Sequence, residues 1–169
     1  MLNGEELSIE DNFSKRKCGS NNECFVLVES KPVLYVPDFL NSTIAEELQS
    51  LCGPRFQRSP IRGAGGQDGT SVQADNVRTS ESCAMVPAAK YLDNPKFHEI
   101  KEAGSMPEMV REVDVTWFVS QQAAGLIDVS PRMVEPLQVV RYLEPSQEYQ
   151  VHHDHGGFYG KATELRPWT

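Results

Sequence analysis

One stretch constrains this chain more than any other. It runs Glu135-Pro136-Leu137-Gln138-Val139-Val140-Arg141-Tyr142, then a polar turn over Glu144-Pro145-Ser146-Gln147-Glu148, then Tyr149-Gln150-Val151-His152-His153-Asp154-His155. Leu137 to Tyr142 is apolar at both parities, which predicts a strand covered on both faces, with Pro136 at its first residue, where a missing N–H is tolerated. Tyr149 opens a second strand that ends in three of the four histidines of the protein. Successive strand side chains point to opposite faces, so His152 and Asp154 share one face while His153 and His155 share the other. An imidazole nitrogen and a carboxylate oxygen on one face make half of a metal site.

The rest of the composition bounds what can surround that half-site. A chain of 169 residues has room for one domain and one core. Its net charge of −8, with no cluster of Lys and Arg larger than Lys15-Arg16-Lys17, argues against a duplex nucleic-acid partner. No apolar stretch is long enough to span a bilayer, and Met1-Leu2-Asn3-Gly4-Glu5-Glu6 has neither a basic nor an apolar signal region, so the chain as written is expected to be cytoplasmic. Cys18, Cys24, Cys52 and Cys83 form no C-x-x-C pair. They read as reduced structural thiols, with Cys18 and Cys24 able to pair in an oxidising compartment.

Along the chain, residues 1–23 are polar and without periodicity, a disordered leader carrying the short basic run Ser14-Lys15-Arg16-Lys17. Residues 24–169 form the folded part. Cys24 to Val28 and Val33 to Val36 predict two short strands separated by Lys31-Pro32. Ile44, Leu48 and Leu51 recur at helical spacing, predicting a helix over 43–52 with Thr43 and Glu46 as a capping box and Gly53-Pro54 as its stop. The glycine-rich run from Gly63 to Gly69 lacks the Gly-Lys-Ser/Thr ending of a phosphate loop and reads as a surface loop. Residues 94–107 look polar and broken. From Glu108 to Leu126 the spacing of Met109, Val113, Trp117 and Ala124 predicts a second helix, with Trp117 and Phe118 in the core.

With its flanks, the opening stretch resembles the prolyl 4-hydroxylase-like family of iron(II)/2-oxoglutarate dioxygenases. That family's pattern runs Glu-x-Leu-Gln-Val-x-Arg-Tyr, a Pro-Gly-Gln-x-Tyr turn, then His-x-Asp. Arg78-Thr79-Ser80 is similar to its Arg-x-Ser loop, and Val36-Pro37-Asp38-Phe39-Leu40 to the strand that leads into its first helix. The similarity covers about residues 33 to 169, in the family's order. It implies an α+β fold with N-terminal helices packed on a partial double-stranded β-helix, or jelly roll. It also implies iron(II) as metal, 2-oxoglutarate as co-substrate, L-ascorbate as a supporting reductant, and a peptide or protein substrate hydroxylated most often at proline. By position, His152 and Asp154 correspond to iron ligands and Tyr142 to a 2-oxoglutarate contact. Arg78, Ser80, Glu135 and Arg166 correspond to residues on the substrate side. Family members often reside in the secretory pathway, which makes that compartment the alternative to the cytoplasm.

The chain departs from the pattern in two places. The turn reads Pro145-Ser146-Gln147, and Leu143 lengthens the interval between Tyr142 and His152. The family's distal histidine and basic 2-oxoglutarate anchor come after a strand that Arg166-Pro167-Trp168-Thr169 would begin, so the expectation is a truncated copy whose full-length parent hydroxylates while this chain alone turns over little. Two rival readings differ in class. One is a non-catalytic interaction or regulatory fragment of the family. The other is a zinc hydrolase using His152, Asp154 and His155, disfavoured by the opposite strand face of His155 and by the lack of a His-x-x-x-His helix.

Overall fold

The computed structural model describes residues 13–19, 22–30, 33–59 and 78–150, and these form a mixture of helices and small antiparallel sheets. The chain divides into two compact units, the first made of Met1–Leu51 with Met85–Leu137 and the second of Cys52–Ala84 with Gln138–Thr169. The glycine-rich run from Gly63 to Gly69, the residues 151–155 expected to continue a strand and the segment at Arg166 lie outside the described residues.

In the first unit, β1 (Ser14–Cys18), β2 (Asn22–Val28) and β3 (Val33–Tyr35) form an antiparallel sheet in that order. β2 and β3 match the two strands expected from their β-branched and aromatic residues. β1 does not match the expected disordered leader, and the reason is a cross-link. Cys18 lies opposite Asn22, and a disulfide joins Cys18 to Cys24, stapling the basic run Lys15-Arg16-Lys17 onto β2. Gly19 turns the chain after β1 with φ of +62°. A Cβ at that position would overlap the backbone carbonyl oxygen of Gly125, so only glycine fits the turn.

Among the described residues, four α-helices follow this sheet. α1 (Ser42–Cys52) falls where the spacing of Ile44, Leu48 and Leu51 placed a helix. Its cap is not Thr43: the Asn41 Oδ1 accepts from the Ile44 N–H at 2.9 Å. α2 (Ala88–Leu92) and α3 (Pro95–Glu102) are short, and α4 (Pro107–Ile127) is the long helix expected from the apolar pattern after Pro107. α3 replaces the broken segment read from the sequence. Asn94 caps it by accepting from the Lys96 N–H at 3.0 Å, Pro95 occupies its first turn, and Phe97 is its one buried anchor. A single anchor gives no periodicity to detect.

The core of the unit is Phe97, Ala88 and Val113, with Trp117, Met109 and Tyr91 packed against them. Phe97 and Tyr91 meet edge to face with centroids 5.9 Å apart, a favoured geometry for two rings. Phe118 points the other way and is exposed, correcting the core assignment, because it lies next to Trp117 on a helix where neighbours diverge by about 100°. Glu112 is buried, and its carboxylate accepts from the Val86 N–H at 3.0 Å, tying the segment before α2 to α4. Arg111 and Glu47 join α4 to α1 through an ion pair of 2.9 Å.

In the second unit, β4 (Gln57–Arg58), β5 (Glu81–Ala84) and β6 (Gln138–Arg141) form an antiparallel sheet in that order. A disulfide joins Cys52, the last residue of α1, to Cys83 in β5, so all four cysteines are paired and the reduced state expected from their spacing is corrected. Their pairing depends on strand register and helix exit, which spacing in the sequence does not encode. β6 is not covered on both faces as its apolar residues suggested. Gln138 and Val140 are exposed while Val139 and Arg141 are half-buried, an alternation typical of a sheet with one open side.

Candidate functional site

The Arg78-Thr79-Ser80 segment runs into β5, and the turn after β6 folds back beside it. Four contacts made by Thr79 fix that arrangement. The Thr79 N–H donates to the Glu148 carbonyl at 2.9 Å, its hydroxyl donates to the same carbonyl at 3.1 Å, and the Glu148 N–H donates back to the hydroxyl at 2.6 Å. The Gln147 amide donates to the Thr79 carbonyl at 2.9 Å. The other end of the same side chain accepts from the Leu143 and Glu144 N–H groups, closing the turn. Gln147 therefore performs two tasks with one amide, because it carries both donors and an acceptor. The substitution of Ser146 for the expected glycine leaves this turn intact, with the Gln147 N–H donating to the Glu144 carbonyl at 2.9 Å.

That clamp sets Arg78 against Tyr149. The two residues form an isolated antiparallel bridge, and the guanidinium carbon lies 4.6 Å from the centre of the tyrosine ring. The Arg78 Nε–H donates to the Ser80 hydroxyl at 3.1 Å, and Ser80 shares a hydrogen bond of 2.9 Å with the Ser59 hydroxyl. Both serines are buried, Ser80 completely. The Ser59 N–H donates to the Ser80 carbonyl at 3.0 Å, continuing the β4–β5 ladder by one residue. Arg78 is thus gripped at its Nε edge by a buried hydroxyl pair and on one face by an aromatic ring.

Tyr142 follows β6 directly and is about half exposed, at 49 %. Val140 pairs with Ser82, so carrying the register two residues further sets Tyr142 level with the buried Ser80, on the same side of the sheet as Val140. On the opposite side Arg141 pairs with Glu81 directly across the strands at 2.6 Å, and its guanidinium lies 4.0 Å from the centre of the Phe56 ring. The Arg of the Gln-Val-Val-Arg-Tyr run is therefore structural. A cross-strand pair this accessible contributes up to about 1 kcal/mol, and its larger effect is to hold the register that aims Tyr142.

Of the residues singled out from the sequence, Arg78 and Ser80 are in direct contact, and Tyr142 lies at the end of the neighbouring strand in the same unit. Glu135 belongs to the first unit. There it lines a cavity of about 170 Å³ with Trp117, Val86, Pro136 and Leu137. His152, Asp154 and Arg166 are outside the described residues. Among the described residues, no group of three or more His, Cys, Asp and Glu could hold a metal ion, and no helix is long and apolar enough to cross a membrane. Three functional candidates escaped the sequence reading. Ser59 follows a two-residue strand too short to register as a pattern, and Thr79 and Gln147 stood only as motif letters without a partner. No family model matches the chain, and neither does any curated protein or solved structure.

Proposed function

We propose that the chain carries the proximal half of an iron(II)/2-oxoglutarate dioxygenase centre on a partial jelly roll, and that its reaction is hydroxylation of a peptidyl residue, most often proline. The observation that supports this reading is the Thr79 clamp. It joins Arg78-Thr79-Ser80 to Gln147-Glu148-Tyr149, 69 residues away in sequence, and these are two of the motif pieces on which the family resemblance rests.

In this reading His152 and Asp154, three and five residues beyond Tyr149 in sequence, would hold the metal, with ligand types that suit iron(II) in a two-histidine, one-carboxylate set. The chemistry such a centre supplies is the coupled conversion of 2-oxoglutarate, dioxygen and a C–H bond to succinate, carbon dioxide and an alcohol, with L-ascorbate restoring uncoupled iron. The protein's own share is positional. The Tyr142 hydroxyl, on the residue that follows β6, would donate to an oxygen of 2-oxoglutarate. Arg78 and Ser80 would take the substrate side, to which the resemblance also assigns Glu135 and Arg166. The clamp holds Tyr149, three residues before His152 in sequence, beside Arg78. The paired cysteines favour an oxidising compartment such as the secretory pathway over the cytoplasm.

Metal analysis after anaerobic purification tests the proposal. Iron(II), or manganese(II) in exchange for it, is expected at a stoichiometry that His152→Ala and Asp154→Ala each abolish. Zinc retained through chelation, or metal content indifferent to both substitutions, would sink the reading.

A further inference from the structure

A guanidinium on a protein surface is ordinarily hydrated and free to swing on its long stem. Arg78 is not arranged that way. Its Nε–H is committed to Ser80, its guanidinium carbon lies over the Tyr149 ring, and its backbone is bridged to the same tyrosine. Among the described residues its two terminal nitrogens meet no partner. The group is thus a planar cation held at its Nε and against a ring, with both terminal nitrogens uncommitted among the described residues.

Fixing it costs two buried hydroxyls. Ser80 is fully buried and Ser59 is 2 % exposed, and burying a hydroxyl is unfavourable unless its hydrogen bonds are made. Each hydroxyl has one proton and two lone pairs, so Ser80 can accept from Arg78 while exchanging its second bond with Ser59. Remove the Ser59 hydroxyl and Ser80 turns to find another partner, loosening the anchor of Arg78. The serine pair has no other described use, and the β4–β5 ladder is held without it by main-chain bonds.

The two-nitrogen outer edge of a guanidinium matches a carboxylate in a bidentate fork, and such a pair is stronger and more directional than a hydrogen bond to a neutral carbonyl. We propose that Ser59 is a positioning residue that, through Ser80, holds the outer edge of Arg78 ready for a side-chain carboxylate on the peptide substrate. This deepens the dioxygenase reading, on which the word substrate rests, by assigning its substrate class: an acidic peptide. The chain's net charge of −8 opposes such a ligand at long range, so its capture depends on the local fork rather than on steering.

Arginine Nε signals of the ¹⁵N-labelled full chain, with the Arg78 signal identified by its loss in Arg78→Lys, provide the test. The probes are a blocked tetrapeptide, acetyl-Gly-Glu-Pro-Gly-amide, its Gln counterpart, and succinate. A saturable shift of the Arg78 signal is expected with the Glu peptide, with at least tenfold weaker binding for the Gln peptide and for succinate. Ser59→Thr and Ser59→Val have the same shape and differ in the hydroxyl. Thr is expected to retain the wild-type signal and affinity, and Val to move the signal to the position of exposed arginines and weaken the Glu peptide at least threefold, at unchanged circular dichroism.

Equal binding of the Glu and Gln peptides, or a response to succinate alone, would overturn the ligand class. An unmoved Arg78 signal in Ser59→Val would overturn the positioning role. Should Ser59→Val fail to fold, the same comparison is read with Ser80→Ala, which removes the acceptor directly. Neither metal nor turnover enters the readout, so its failure is separable from that of the iron site.

Discussion

Replacing Cys52 and Cys83 together by alanine should cost markedly more than replacing Cys18 and Cys24 together, and loop length is the reason. The Cys52–Cys83 bridge spans 31 residues and the Cys18–Cys24 bridge spans 6. In the chain-entropy account a bridge stabilises by restricting the unfolded chain, which gives about 3.7 kcal/mol for the longer loop and about 2.2 kcal/mol for the shorter. All four cysteines are buried, at most 3 % exposed, so each double substitution removes two buried sulfurs and the packing losses largely cancel. The difference of about 1.5 kcal/mol is roughly a tenfold change in folding equilibrium. Guanidinium denaturation of the two double variants, under oxidising conditions that keep the remaining bridge, reads that difference as a shift in midpoint at constant slope. The longer loop contains β4, Ser59 and the Arg78–Ser80 segment, so amide exchange at Ser59 and Thr79 should rise in the Cys52/Cys83 variant and not in the other. Equal losses in the two variants, or a larger loss from Cys18/Cys24, would refute the argument.

Gly19→Ala should destabilise the first unit by at least about 2 kcal/mol, combining a left-handed backbone that alanine resists with overlap against the Gly125 carbonyl, and thermal melting measures it. The Arg132 guanidinium beside Asp93, which donates to its carboxylate at 2.7 Å, holds the Asp93 carboxyl below its usual range. A lowered folded-state value means the pair's stabilisation is present above the ordinary carboxylate pKa near 3.9 and is lost as pH falls through the lowered value. The Tm advantage of the wild type over Asp93→Asn should therefore be constant at neutral pH and vanish in an acid titration below about pH 4.

The fold and the candidate site were legible from the sequence to different depths. Ile44, Leu48 and Leu51 revealed α1 because a helix with one buried face must repeat its apolar residues, and Met109, Val113 and Trp117 revealed α4 for the same reason. α3 stayed hidden because Phe97 alone anchors it, and Phe118 misled because an aromatic next to a core tryptophan looks apolar in composition while facing outward in angle. β1 was lost because nothing in Ser14-Lys15-Arg16-Lys17 favours a strand apart from the bridge that closes it. At the site, Arg78 and Ser80 were visible as a motif, and their hydrogen bond follows from their spacing along an extended chain.

What the sequence determined by itself was therefore the set of local periodicities and the types of side chain available for chemistry. What only the tertiary structure decided was partnership: Ser59 with Ser80, Thr79 with Glu148, Cys52 with Cys83, and the open side of β6 that sequence had read as covered. Periodicity is written in neighbouring residues because the backbone repeats every few of them. Partnership across 21, 69 or 31 positions depends on register and on where each element ends, and a residue carries no mark of the distant group that will satisfy it.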